Sequence, residues 1–108
     1  MSSKPAQLKR RLRPTTPVDR SRLETRLVES FDADPAVARV VAREATDLAD
    51  SGHYMADFGT SLTVAVVVSN LTDAPEDTTL AERWNWWMGS LELSHGGYVR
   101  FHVRPDAT

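Results

Sequence analysis

Cysteine is absent from this 108-residue chain. Its absence removes disulfides, thiolate nucleophiles and cysteine-type zinc sites, and fits a reducing, cytoplasmic compartment. Lysine is almost absent as well: Lys4 and Lys9 are the only two, against eleven arginines. Aspartate outnumbers glutamate nine to six, and the combined usage resembles that of proteins from GC-rich or salt-adapted microbes. No apolar run approaches the ~18 residues that a membrane span requires; the run through Ala65-Val66-Val67-Val68 is strand-sized. The basic N-terminus is followed by no apolar stretch, so no secretory signal is expected.

Motifs of established chemistry are also lacking. Neither common glycine-rich phosphate loop occurs, nor a His-Glu-x-x-His pair. Ser94-His95-Gly96-Gly97 faintly resembles an esterase oxyanion loop, but Gly59-Thr60-Ser61-Leu62-Thr63 lacks the second glycine of a nucleophile elbow. Asp32-Ala33-Asp34 begins like a calcium loop, then places Val37 where glycine is required and Arg43 where glutamate is required. His53, Asp57, His95 and His102 could converge on a metal, yet nothing in their spacing calls for it. No residue set reads as catalytic, and neither cofactor nor metal is expected.

What is present is segregated charge. Residues 1–26 hold eight basic side chains against two acidic, a balance of +6, and the remaining 82 hold five against thirteen, a balance of −8. Residues 1–15 have no periodic apolar face and read as a flexible basic arm ahead of a single domain over 16–108. Lys9, Arg10, Arg11 and Arg13 in that arm could neutralise phosphates with a steep dependence on salt.

Two helix starts follow. Thr16-Pro17 supplies a cap and a first-turn proline for a helix with Leu23, Leu27 and Phe31 on one stripe. Asp34-Pro35 repeats the signal, with Val37, Val40, Val41, Ala45 and Leu48 on one face and Gly52 at the C-terminal cap. The short link at Asp32-Ala33-Asp34 predicts a helical hairpin.

After Gly52 the period changes. Leu62, Val64, Val66 and Val68 alternate with Thr63, Ala65, Val67 and Ser69, the best strand pattern in the chain. Tyr54, Ala56 and Phe58 form a weaker alternation before it. Val99, Phe101 and Val103 alternate with Tyr98, Arg100 and His102 near the end. The second face of that last strand would offer Tyr98 and Arg100 to stacked bases.

All three tryptophans fall within Trp84-Asn85-Trp86-Trp87. Thr79 and Glu82 have the form of a capping box, and Leu80, Trp84, Trp87, Met88 and Leu91 then share roughly 100° of a helix from Thr79 to Leu93. Gly89 inside it costs ~1 kcal/mol relative to alanine. Trp84 and Trp87 read as core. Trp86 lies well round the helix, on the side of Leu93.

The expected fold is α+β: an N-terminal helical hairpin, a small antiparallel sheet of about three strands, and one tryptophan-rich helix between the last two. The expected function is that of a non-enzymatic interaction or adaptor protein, a homodimer or a subunit of a larger assembly, binding a protein partner through Trp86 and Leu93. The alternative is a nucleic-acid-associated protein using Lys9, Arg10, Arg11, Arg13 and Arg100.

Overall fold

The computed structural model describes residues 18–104. The arm expected over 1–15 and the helix start expected at Thr16-Pro17 lie outside them. The described residues form five α-helices and one short 3-10 turn, with no strand among them. These are α1 (Arg20–Phe31), α2 (Pro35–Ser51), α3 (His53–Phe58), α4 (Val64–Thr72), α5 (Leu80–Ser94) and the 3-10 turn Val99–Phe101. The expected α+β fold with its three-stranded sheet is therefore corrected to an all-helical one.

α1 packs on α2 and α4, and α5 packs on α2 and α4, so four helices close a ring around one core. α3 leans on α2, and the 3-10 turn sits against α2 and α5. The core is built from Leu23 and Leu27 of α1, Val67 and Leu71 of α4, and Trp84 and Met88 of α5, all at 0% exposure. α2 contributes Ala38, Ala42 and Ala45, also fully buried, where small side chains let neighbouring helices come close. Val37 and Val40, expected on the α2 core face, are only partly buried.

The two hairpin helices start as their residues require. Asp19 caps α1 by accepting from Arg22 N at 3.2 Å, three residues later than Thr16. Asp34 accepts from Ala36 N at 2.8 Å, with Pro35 in the first turn of α2 and Gly52 closing it at φ 77°. The capping box of α5 is complete: Thr79 Oγ1 accepts from Glu82 N at 3.2 Å, and Thr79 N donates to Glu82 Oε1 at 2.9 Å.

The first two expected strands are largely helical, and the third is a short 3-10 turn flanked by irregular chain. In α3, Tyr54 and Phe58 stack with ring centroids 4.5 Å apart. That is an i, i+4 contact, which their alternation had disguised. In α4, Thr63 caps the helix by accepting from Val66 N at 3.2 Å. Val64, Val67, Val68 and Leu71 then follow at i, i+3, i+4 and i+7, and the last three are buried. A run of consecutive valines satisfies both periods, so burial decides between them and overrides β-branched propensity. At the C-terminus, Gly96 and Gly97 take φ 81° and 88°, a left-handed bend that favours glycine. Beyond the bend, Tyr98, Phe101 and Val103 are buried while Val99 is 54% exposed. The face expected to pair Tyr98 with Arg100 and His102 does not exist.

The buried aromatics set the stability. Trp84→Ala and Trp87→Ala should each cost about 3–5 kcal/mol through the cavity left behind, a large part of the ~5–15 kcal/mol typical of a domain. Trp86→Ala should cost about 1 kcal/mol or less. Urea denaturation of the three variants measures both.

Candidate functional site

The tetrad Trp84-Asn85-Trp86-Trp87 distributes four side chains around α5, and three of them work inside the molecule. The Trp84 indole is fully buried. Its Nε1–H donates to Phe101 O at 2.7 Å, supplying the acceptor that a buried indole requires. Trp87 packs edge-on to Trp84, with centroids 5.7 Å apart, and to Tyr54 at 6.3 Å. Asn85 grips the backbone of one residue at both ends. Its Nδ2 donates to Val103 O at 2.7 Å and its Oδ1 accepts from Val103 N at 2.8 Å.

Two turns further along, Glu92 Oε1 accepts from Tyr98 N at 2.7 Å and Val99 N at 3.0 Å. Those bonds hold its carboxyl below the ordinary glutamate range. Residues 98–103 thus run back along α5 from Glu92 to Asn85, tied by side chains rather than by a strand ladder.

A second cluster fastens the bend to α3. Tyr98 is fully buried and its hydroxyl donates to Asp57 Oδ2 at 2.8 Å. Burial, first, and then the Asp57 carboxylate raise the Tyr98 hydroxyl above the usual tyrosine range. His53 Nε2 lies 3.0 Å from Gly96 O, which can only accept, so that nitrogen carries the proton. The same atom is 3.5 Å from Asp57 Oδ2, and the ring meets Tyr98 edge-on at 4.6 Å. A Cβ on Gly97 would stand 2.7 Å from the His53 ring, so the bend requires glycine there for space as well as for φ. The nearby Ser51 hydroxyl donates to Leu48 O at 2.7 Å. The cluster acts as a clasp.

The three histidines do not converge. His95 packs on Phe58 with centroids 4.6 Å apart, and His102 is exposed. Among the described residues no group of three His, Asp or Glu could hold a metal. Arg100 is exposed and lies over the Phe101 ring, 4.9 Å from its centroid. Tyr98 is buried, so no aromatic-basic platform is assembled. Lys9, Arg10, Arg11 and Arg13 lie outside the described residues. No helix among the described residues is long and apolar enough to cross a membrane.

Trp86 is the tetrad member whose side chain makes no hydrogen bond or ring contact among the described residues. It is 40% exposed, and Leu93, seven residues on, is 90% exposed. Gly89 and Ser90 lie between them. The Ser90 hydroxyl donates to Trp86 O at 3.0 Å and that of Ser94 to Ser90 O at 3.1 Å. Both are therefore turned onto the helix backbone. The face so formed carries no charged side chain between Arg83 and Glu92.

Asn85, Glu92 and Arg83 were not singled out by sequence reasoning. Arg83 Nη1 donates to Leu71 O at 2.9 Å, and its guanidinium lies 5.0 Å from the centroid of the Phe31 ring, joining α5 to α4 and α1. Only the seven-residue interval from Asn85 to Glu92 hinted that both face one passing segment.

An all-helical domain whose last long helix is organised by this tetrad defines the class. The chain belongs to the WNWW domain family, whose model matches residues 6–92. The match takes in the tetrad and part of the basic arm, and it ends before the tied segment at 98–103. No curated protein and no solved structure matches the chain.

Two pH effects follow from the ties. Glu92 has a lowered folded value, so its contribution is present at neutral pH and is lost as pH falls below the ordinary glutamate value of about 4.5. Melting curves at descending pH should show a smaller acid loss for Glu92→Gln than for the unaltered protein. Tyr98 and Tyr54 have raised folded values, so their contribution is complete below about pH 10 and declines as pH rises further. Phenolate absorbance in an alkaline titration should therefore appear together with loss of helical circular dichroism.

Proposed function

We propose that this WNWW domain is a non-enzymatic, cytoplasmic interaction module that binds a protein partner through the α5 face centred on Trp86 and Leu93. The observation that carries the reading is the division of labour within the tetrad. Trp84, Asn85 and Trp87 are consumed by the core and the C-terminal tie, while Trp86 stays 40% exposed beside the 90% exposed Leu93. Tryptophan is enriched among interface hot spots, and an uncharged apolar face desolvates at little cost.

A second reading rests on charge. The +6 balance of residues 1–26 supports phosphate binding by the arm, with Arg100 as an exposed contributor from the domain. The two readings separate by salt, since an arm–phosphate complex weakens steeply as salt rises and an apolar contact does not.

The test compares Trp86→Ala/Leu93→Ala with the unaltered protein in capture from the native host, after nuclease treatment and at raised salt. The variant should keep its helical content and lose its partners. Capture that is unaffected by the double substitution but abolished by nuclease would replace the first reading with the second.

A further inference from the structure

We infer that the α5 face binds a second copy of this chain, the two α5 helices pairing antiparallel across a dyad between Gly89 and Ser90. The inference rests on the interaction reading above and names its partner. The pattern along the face is large-small-small-large: Trp86, Gly89, Ser90, Leu93. Read in the opposite direction about its midpoint, it superposes Trp86 on Leu93 and Gly89 on Ser90. In a two-fold interface residue i meets j while j meets i, so this pattern sets large side chains against large ones and small against small. Each Trp86 ring would then lie against the partner's Leu93 side chain. The small pair at the centre lets the backbones approach.

Gly89 supports the same assignment independently. A glycine inside a helix weakens it, and such a residue normally makes room for a neighbour. Here a Cβ at Gly89 would meet nothing within 4 Å. The described residues supply no reason for the glycine, and a closely approaching helix does.

The local charges of α5 permit this occupant, and the area sets the strength of the contact. The described residues hold fourteen acidic and eight basic side chains, so two copies repel over most of their surface. On α5 the charged residues Glu82, Arg83 and Glu92 flank the face. In the antiparallel register Glu82 and Arg83 come level with the partner's 97 and 96, and Glu92 with its 87, so no like charges oppose. Antiparallel helices also set their dipoles favourably. Trp86 and Leu93 expose on the order of 250 Å² per copy, well short of the roughly 800 Å² per partner of a stable interface. The dimer is accordingly weak and reversible.

The absence of cysteine makes the register directly testable. Ser90→Cys in the full chain should form a disulfide-linked dimer under mild oxidation. Ser94→Cys should not, because the two copies of residue 94 would lie about 13 Å apart along the helix axes. Sedimentation equilibrium of the unaltered protein should show a monomer–dimer equilibrium. Gly89→Ala should raise the melting temperature of the dilute monomer and weaken dimerisation at least tenfold, a combination that a purely structural role for the glycine would not produce. Equal crosslinking at 90 and 94, or a dimer constant unchanged by Gly89→Ala, overturns the antiparallel pairing. A chain that stays monomeric at several hundred micromolar overturns self-association. In that case Trp86-dependent capture of a different protein would leave the interaction reading standing, and loss of such capture would remove both.

Discussion

A buried indole N–H has to find an acceptor, and in this protein it finds one outside its own helix. Trp84 Nε1 donates to Phe101 O, and that bond fixes where the C-terminal segment must lie. With Phe101 O at the Trp84 ring, Val103 falls beside Asn85 and Tyr98 beside Glu92, so the segment's backbone groups are met by side chains of a helix in place of a neighbouring strand. Tyr98 then enters the core and carries its hydroxyl to Asp57, and the bend at Gly96-Gly97 is pressed onto His53. Among the described residues no buried side-chain nitrogen or oxygen lacks a partner. This accounts for how a core can bring in tyrosine and tryptophan without the cost of stranded polar atoms.

The tetrad gains its several roles from the helix turn of about 100° per residue. Four successive residues must point four ways. Trp84 and Trp87 return to the core side, three residues apart, and meet edge to face. Asn85 lies at the boundary between core and solvent, where an amide can offer donor and acceptor together to one extended residue. Trp86 is carried to the far side. A strand would have divided the same residues between two faces and left no boundary position for the asparagine.

How much of this could be read in advance depended on whether a residue's partner was local. Asp34-Pro35, Gly52 and the Thr79–Glu82 box announce helix ends through contacts within four residues, and all are found where the sequence places them. The burial of Trp84 and Trp87, and the exposure of Trp86 and Leu93, follow from the phase of a helix whose start is known. The failures lie where two periods fit the same residues. Tyr54 and Phe58 are compatible with alternation and with i, i+4. Val64, Val66 and Val68 alternate, but Val64, Val67, Val68 and Leu71 also make a helical stripe, and only the presence of α1 and α5 on the other side decides. The misreading of 98–103 has a different origin. The residue types alternate there but their burial does not, since Tyr98 is buried and Val99 exposed; a strand needs a strand to pair with, and the segment's partners are Asn85 and Glu92, more than five residues away along the chain and polar. Period analysis counts apolar positions and gives polar ones no weight.

Two residues on α5 work against the isolated domain. An exposed indole lowers solubility, and a glycine in mid-helix lowers helix stability. Neither disadvantage is recovered among the described residues: Trp86 makes no ring contact there like those of Trp84 and Trp87, and nothing described stands where a Cβ at Gly89 would go. The remainder of α5 shows no such looseness, since Arg83, Asn85 and Glu92 each hold backbone atoms of another segment. In a domain this small the surface is large relative to the core, and features that oppose monomer stability weigh more than they would in a larger one. The two sit on one face of α5, one turn apart, and the proposed partner would bring an apolar side chain to Trp86 and its backbone to Gly89.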